Sequence, residues 1–267
     1  MKRTKGIAKN DYEIIRKEIH TIFEENYRSY GYRRITAELD IRGYHVNHKL
    51  VQRLMNEEGL KCERKTKVSA EDPEKPFMTY SPRFGIKGED LLNRNFNAER
   101  FGDIWVTDMT RIKKRDLTAY LTVIIDMFNG EVVGYDISEN ADLKTILKTV
   151  RFAHYKQPEC RPILHSDRGW FYCATYYVNL LNSLGYLRSM SSSGNCLDNA
   201  AAETFFALLK KELIYPNDWD DLKSLKRDIH KYIKYYNTKR IKKSLGYLTP
   251  VEYRLKAENS VDGDVNK

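Results

Sequence analysis

The chain has few of the features that mark secreted, membrane or zinc-binding proteins. Its four cysteines, Cys62, Cys160, Cys173 and Cys196, form no Cys-x-x-Cys pair, so we expect reduced structural thiols and no zinc finger. No apolar run approaches the roughly 20 residues that span a bilayer. The first residues, Met-Lys-Arg-Thr-Lys-Gly, lack the apolar segment of a signal peptide. We therefore expect a cytoplasmic protein that does not enter a membrane.

Positive charge is in excess. The net charge is +9, from 46 Lys and Arg against 37 Asp and Glu. Because each neutralised phosphate releases condensed counterions, this balance favours a polyanionic partner, DNA or RNA. Only His45 and His48 stand close together among the six histidines, and two ligands alone do not make a zinc site.

Three carboxylates stand in settings that suit phosphodiester chemistry. Asp108 lies in Trp-Val-Thr-Asp-Met-Thr, Asp167 in Leu-His-Ser-Asp-Arg-Gly and Glu203 in Ala-Ala-Ala-Glu-Thr-Phe-Phe, with 58 and 35 residues between them. Three acids brought together repel one another unless cations lie between them. Mg²⁺ prefers such oxygen ligands, with Mn²⁺ as a substitute. We expect Asp108 to bridge two cations, Asp167 to hold one and Glu203 the other.

The chain divides into four predicted segments. Residues 1–64 form a helix-turn-helix-like DNA-binding domain, 65–100 a linker, 101–215 an α/β catalytic core, and 216–267 a C-terminal helical extension and tail. In the first segment, apolar spacing predicts a helix from Asp11 to Asn26, a second helix ending before Gly43, and a third that begins after Asn47 as N-cap.

The catalytic core shows the order of a ribonuclease-H-like fold. Strands are predicted at 104–107, 119–127 and 131–137, with Asn129-Gly130 as a hairpin turn. A helix, a short strand at 162–165, another helix, a last strand at 186–190 and the helix of Glu203, with Asp198 as N-cap, complete the order. The first and fourth strands are adjacent in this fold, so Asp108 and Asp167, at their ends, would converge.

The helix of Glu203 has two faces at helical spacing. Its apolar stripe consists of Ala202, Phe205, Phe206, Leu209 and Leu213. Its polar stripe consists of Asn199, Glu203, Ala207 and Lys210. Lys210 lies two turns beyond Glu203, where it could reach a phosphate near the reacting one, and Lys211 is a weaker candidate.

Six motifs together resemble one family. They are Gly31-Tyr32-Arg33-Arg34-Ile35, Trp105 to Thr110, His165 to Gly169, Gly194 to Ala200, Glu203 with Lys210, and Tyr235-Tyr236-Asn237 followed by Arg240 and Leu248-Thr249-Pro250. The chain resembles the OrfB-type transposases of bacterial insertion sequences, in the large insertion-sequence family three, whose DDE catalytic core is similar to retroviral integrase.

This resemblance implies an Mg²⁺-dependent transposase that cleaves the ends of its element and joins the exposed 3′-hydroxyls to target DNA. It implies double-stranded DNA as substrate, a homo-oligomer on DNA and a place at the bacterial nucleoid. It also implies an upstream OrfA protein, or an OrfA–OrfB fusion, that recognises the element's ends. The chain departs from the family pattern at Trp170-Phe171, where Ser-Gln is usual, and at Ser192-Ser193, where basic residues are common.

Several residues carry weaker or competing predictions. The candidate DNA contacts are Arg33, Arg34, Lys49, Arg53, Asn195, Asn199, Lys210, Lys211, Arg240, Lys242 and Lys243. Asp126 is a rival carboxylate, and His165 is either buried or in contact with the site. Trp105 and the tyrosines near 235 are expected in the core. Two other functions stay open: an inactive DNA-binding remnant or regulator of transposition, and a ribonuclease-H-type nuclease without transfer activity.

Overall fold

A computed structural model describes the backbone of residues 9–62, 85–191 and 200–265. The chain divides into two compact units. We call Met1–Val68 with Arg240–Leu248 the helical unit, and Ser69–Lys239 with Thr249–Lys267 the sheet unit. Residues 240–248, from the predicted C-terminal extension, therefore group with the N-terminal helices. Within the described ranges, no helix is both long and apolar enough to cross a membrane.

The helical unit contains the three predicted helices, α1 (Lys9–Glu25), α2 (Tyr32–Ile41) and α3 (His48–Glu57). Asn47 caps α3 as predicted, because its side chain accepts a hydrogen bond of 2.8 Å from the backbone N of Lys49. Apolar residues at helical spacing are buried on all three helices, among them Ile19, Leu39 and Leu54. The helices thus form one small core that accounts for their apolar periodicity.

The segment from Arg240 to Leu248 belongs to the same core. The backbone N of Ile241 donates a 2.9 Å hydrogen bond to the hydroxyl of Tyr30, and both residues are buried. A 3₁₀ turn, Lys243–Leu245, follows. The residues on either side of this turn, Lys242 and Leu248, pair in an isolated antiparallel β-bridge. Arg240, Lys242 and Lys243 of this segment were predicted as DNA contacts, but the structure packs part of the segment into the core.

The sheet unit is built on five strands, β1 (Ile104–Lys114), β2 (Leu117–Asp126), β3 (Val132–Ser138), β4 (Ile163–Ser166) and β5 (Leu187–Met190). Their order is β3-β2-β1-β4-β5. The first three strands are antiparallel, whereas β4 and β5 run parallel to β1. The predicted neighbourhood of the first and fourth strands is confirmed. The predicted end of β1 is wrong, because pairing with β2 carries the strand on to Lys114.

The remaining helices are α4 (Leu143–Lys156), α5 (Trp170–Cys173), α6 (Thr175–Ser183), α7 (Ala200–Leu209), α8 (Leu222–Thr238) and α9 (Pro250–Val265). A π-helical turn, Lys210–Ile214, continues α7. The α4 helix packs on β2 and β3, and α7 packs on β1 and β2. At Gly134 of β3, a Cβ atom would lie 2.9 Å from the carbonyl oxygen of Thr149 and from Cβ of Ala153, so this close approach requires glycine.

The described part of the predicted linker follows the edge of the sheet. The backbone N of Met190, in β5, donates to the carbonyl oxygen of Glu89 at 2.9 Å, and the backbone N of Leu91 donates to Oγ of Ser189 at 3.0 Å. The backbone N of Ile86 donates to the carbonyl oxygen of Cys173. Residues 86–91 therefore cover polar groups that an edge strand would otherwise expose.

Candidate active site

The parallel register of β1 and β4 brings two of the predicted carboxylates level with each other. Val106 on β1 lies beside His165 on β4. Asp108 and Asp167 each stand two residues further along in the same direction, so they reach the same level. Both line one pocket, which Met109, Gly169, Trp170, Phe171 and Tyr172 complete. Asp108 is within β1 and not at its end, contrary to the prediction, but it lies beyond the stretch paired with β4.

Each aspartate is oriented by a nearby backbone N–H group. Oδ1 of Asp108 accepts a 2.7 Å hydrogen bond from the backbone N of Met109. Oδ1 of Asp167 accepts one of 2.8 Å from the backbone N of Gly169. A Cβ atom at Gly169 would lie 2.9 Å from that same oxygen, so a larger residue at this position would displace the carboxylate from the orientation seen here.

Electrostatics at Asp167 disfavour an isolated charge. Asp167 is an exposed residue, yet desolvation by the surrounding groups raises the pKa of its carboxyl above the ordinary value. The N–H of Gly169 and the ring of His165 act in the opposite direction. A cation placed beside the carboxylate would stabilise its charged form.

Glu203 is not brought into this pocket. It is an exposed residue in the first turn of α7, the helix that packs on β1 and β2. Among the described residues, no three His, Cys, Asp or Glu side chains lie close enough together to hold a metal ion. Asn195, Asp198 and Asn199 precede α7 and lie outside the described residues. The role of Glu203 therefore stays a prediction.

The packing of α7 agrees with its predicted apolar stripe. All five stripe residues are buried, namely Ala202, Phe205, Phe206, Leu209 and Leu213. Glu203 and Ala207 are exposed, and Lys210 and Lys211 are half-buried. The helix changes to π geometry at Lys210, which the sequence pattern did not predict. Within that turn Glu212 is buried and accepts a 2.8 Å hydrogen bond from the hydroxyl of Tyr232.

The rival carboxylate, Asp126, has a structural role. Its side chain is fully buried. Oδ2 accepts hydrogen bonds of 2.7 Å from the backbone N of Gly102 and from Nε1 of Trp105, and Oδ1 accepts one of 2.8 Å from the backbone N of Phe128. Burial raises the pKa of Asp126 to about 6, although these three donors oppose the shift. The pocket lined by Asp108 and Asp167 does not include Asp126.

His165 is also held by the protein itself. It is buried, with Nδ1 2.9 Å from Oγ of Ser189 and Nε2 3.2 Å from Oγ of Ser191. The ring of Phe96 packs edge-on against it. Because both ring nitrogens already have hydroxyl partners, His165 supports β4 next to the pocket and is not one of its lining residues. The buried position predicted for Trp105 is confirmed as well.

The predicted DNA contacts differ in exposure. Arg33, Lys49, Arg53 and Lys243 are exposed, whereas Arg34 and Lys242 are half-buried. Arg53 lies 3.6 Å from Glu57 in an i,i+4 ion pair. Arg240 is only 2% exposed, so the structure contradicts its prediction as a surface phosphate contact. A basic residue in a charged run reads as solvated from sequence alone, and only tertiary packing reveals its burial.

Helix α5 carries pocket residues that the sequence did not place at the site, although Trp170 was noted as a departure from the family pattern. The helix was not predicted, because its four residues, Trp-Phe-Tyr-Cys, are too few to show a periodic pattern. It brings Trp170 and Tyr172 to the pocket of the two aspartates. The Trp170 indole packs on Phe171 with ring centroids 4.1 Å apart and stays 38% exposed. The apolar run Trp170 to Cys173, directly after Asp167-Arg168-Gly169, was the sequence signal that could have indicated these residues near the site.

Comparisons with known proteins match an N-terminal helical family and an integrase core. Residues 9–68 match a family described as an HTH-like domain, and residues 98–196 and 203–257 match two families described as integrase core domains. The chain is 40% identical over 252 residues to the protein named as transposase InsK for insertion sequence element IS150 of Escherichia coli K12, covering 94% of this chain and 86% of that protein.

A second relative is longer than this chain. The transposase named for insertion sequence element IS1353 of Shigella flexneri is 38% identical, and the match covers 94% of this chain but 48% of that protein. Among solved structures, a chain of the simian T-cell lymphotropic virus intasome, in complex with PP2A regulatory subunit B56 gamma, is similar with a TM-score of 0.52 and 13% identity, covering 82% of this chain and 70% of that one. This likeness concerns the fold, and the predicted ribonuclease-H-like, integrase-type core is confirmed.

Proposed function

Because the chain belongs to the insertion-sequence transposases with an integrase core, we propose that Asp108, Asp167 and Glu203 are the three carboxylates with which this DDE transposase cuts and joins DNA. The observation that supports the assignment most directly is the level position of Asp108 and Asp167 in one pocket. Glu203 is included because it is exposed in the first turn of α7, which packs on the strand of Asp108.

The donor set suits a hard divalent cation, Mg²⁺ or its substitute Mn²⁺. Both aspartates offer carboxylate oxygens, and among the residues that the structure describes no thiol or imidazole lines the pocket with them. Asp108 would bridge two cations, Asp167 would hold one and Glu203 the other. When bound, the cations would activate the attacking oxygen and stabilise the leaving 3′-oxygen. The N–H groups of Met109 and Gly169 keep one oxygen of each aspartate oriented.

We further propose that the substrate is double-stranded DNA, contacted at the element's ends by the helical unit. Lys49 and Arg53 are exposed on α3 and four residues apart, so they share one helix face. By contrast, the Arg42 side chain donates hydrogen bonds to Glu18 at 3.1 Å and to Glu25 at 2.5 Å. These contacts within the helical unit stabilise the unit itself, so Arg42 is not proposed as a DNA contact. Phosphate contact by Lys49 and Arg53 would position the helix on DNA without selecting a sequence.

Partners of the chain are part of the same proposal. Binding two element ends and a target in one complex requires more than one active site, so we propose a homo-oligomer on DNA. We also propose that an upstream OrfA protein, or an OrfA–OrfB fusion, supplies selectivity for the ends, because one helix-turn-helix reads few base pairs.

The test is isosteric removal of each charge. Asp108→Asn, Asp167→Asn and Glu203→Gln should each abolish Mg²⁺-dependent cleavage of an end fragment and joining of a pre-cleaved end, since an amide keeps the size but not the charge. The matched control is Asp136→Asn, a partly buried strand carboxylate outside the pocket, which should stay active. Near wild-type activity of any of the three variants at saturating Mg²⁺ would remove that residue from the site. If the wild-type chain cleaves the end fragment but does not join a pre-cleaved end, it is a nuclease without strand-transfer activity.

A further inference from the structure

One arginine side chain joins three segments of the sheet unit beside the pocket. Arg188 lies on the last strand, β5. Its guanidinium Nη1 donates to the carbonyl oxygen of Ile86 at 2.8 Å and to that of Tyr172 at 3.2 Å. Ile86 belongs to the segment 86–91 that follows the sheet edge, whereas Tyr172 lies on α5 and lines the pocket. Arg188 therefore connects the edge of the sheet with one wall of the pocket.

Helix α5 depends on such external partners because it is only four residues long. The last four carbonyl groups of an α-helix have no partner within the helix. Arg188 bonds the carbonyl oxygen of Tyr172, and the backbone N of Ile86 donates to the carbonyl oxygen of Cys173 at 3.0 Å. Apolar packing also buries the last three residues of α5, but the hydrophobic effect has no preferred direction. The hydrogen bonds from Arg188 and Ile86 therefore fix the orientation of α5.

Helix α5 is in turn connected to the carboxylate of Asp167. The backbone N of Tyr172 donates to the carbonyl oxygen of Gly169 at 3.0 Å. The backbone N of Gly169 donates to Oδ1 of Asp167 at 2.8 Å. The turn leaves little space for adjustment, because a Cβ atom at Gly169 would lie 2.9 Å from Oδ1 of Asp167 and 3.4 Å from Cδ2 of the Tyr172 ring. Two hydrogen bonds thus lead from the residue that Arg188 holds to the carboxylate oxygen.

We propose that Arg188 is a positioning residue for the cation site, which acts through α5 and Gly169 on the carboxylate of Asp167. This inference rests on the proposed function of Asp108 and Asp167 as cation ligands. A guanidinium suits the role, because its rigid set of N–H donors can bond two carbonyl oxygens at once. Loss of contacts that orient metal ligands typically lowers metal affinity by about 10- to 100-fold. We expect the lower end of this range, since Arg188 does not touch the carboxylate itself.

The experiment compares Arg188→Met and Arg188→Lys with Arg161→Met as matched control. Arg161 also uses Nη1 to bond two backbone carbonyl oxygens, those of Pro158 at 2.6 Å and Cys160 at 2.9 Å. It precedes β4, whereas Asp167 follows that strand, so the bonds of Arg161 lie at the end of β4 away from the pocket.

Three quantities are measured on the full chain. Binding of Mg²⁺ and of Mn²⁺ is measured by calorimetry, and thermal unfolding is measured without cation. The indole N–H signal of Trp170 in a nuclear magnetic resonance spectrum, assigned by its loss in Trp170→Phe, reports the position of α5, because Trp170 is the first residue of that helix.

For Arg188→Met we expect about tenfold weaker binding of Mg²⁺ and Mn²⁺, together with a displaced Trp170 indole signal even without cation. Arg188→Lys should recover most of the lost affinity, because its ammonium group can still donate to a carbonyl oxygen. Arg161→Met should match the wild type in cation affinity and in the Trp170 signal. If thermal unfolding shows that Arg188→Met does not fold, Arg188→Gln takes its place with the same expected result, since its shorter amide cannot bond both carbonyl oxygens.

The contradicting results separate this inference from the proposed function. Wild-type Mg²⁺ affinity in the folded Arg188→Met or Arg188→Gln variant would overturn the inference alone, and so would equal weakening in Arg161→Met. A wild-type chain that binds neither cation would overturn the proposed function together with the inference.

Discussion

The buried carboxylate of Asp126 makes the stability of the sheet unit depend on pH. Burial raises its pKa to about 6 from the usual 3.8. Between these two values the folded state binds the proton more tightly than the unfolded state does. Stability from this group is therefore complete below about pH 4 and is lost as the pH rises through about 6. The shift of about 2 pKa units corresponds to about 3 kcal/mol.

Other groups titrate in the same range, so the measurement has to be a difference between two proteins. Asp126→Asn removes the ionisation but turns an amide N–H₂ toward one of the three N–H donors, which adds a cost of about 1–3 kcal/mol that does not depend on pH. We expect the free energy of unfolding of the variant minus that of the wild type to increase by about 3 kcal/mol between pH 4 and pH 7, so that the variant becomes relatively more stable as the pH rises.

Two readouts follow this change. Urea unfolding monitored by tryptophan fluorescence reports the sheet unit, because all three tryptophans, Trp105, Trp170 and Trp219, belong to it. The indole N–H of Trp105 donates to Oδ2 of Asp126, so its nuclear magnetic resonance shift should titrate near pH 6. A stability difference that is constant between pH 4 and 7, with no inflection of the Trp105 indole shift, would refute the reasoning.

Three further predictions concern DNA and packing. Lys210→Ala should lower the salt slope of DNA binding by about one unit while leaving Mg²⁺ affinity unchanged, in contrast to the exposed α9 control Lys256→Ala; an unchanged slope with weaker Mg²⁺ binding would contradict the assignment. Asn237→Ala should lower the free energy of unfolding by about 1–3 kcal/mol in urea titrations. The Asn237 side chain accepts a hydrogen bond from the backbone N of Val132 and donates one to the carbonyl oxygen of Val132, both at 2.9 Å. A change in the free energy of unfolding below about 0.5 kcal/mol would count against this prediction. The isolated chain should bind the element's ends and scrambled DNA almost equally in competition at physiological salt, and a preference of roughly a hundredfold would show that it has its own end-recognition surface.

The sequence alone predicts those features that depend on neighbouring residues. The segments rich in β-branched and apolar residues and the Asn129-Gly130 turn predicted the three strands that pair as β1, β2 and β3. Helical spacing predicted α1 to α3 and the buried stripe of α7, and Asn47 was identified as a cap. These features follow from local periodicity and turn chemistry, which operate over a few residues.

Tertiary structure decided whatever depends on residues far apart in the chain. The length of β1 comes from pairing with β2. Asp126 is kept out of the pocket because its carboxylate oxygens accept hydrogen bonds from Gly102, Trp105 and Phe128. Arg240 reads as a solvated cation in sequence, yet it is buried. A carboxylate, an arginine or a tyrosine has the same local pattern whether it faces solvent or a partner 100 residues away. Only the folded chain determines which of them meet, because burial and hydrogen-bond partners are properties of three-dimensional packing.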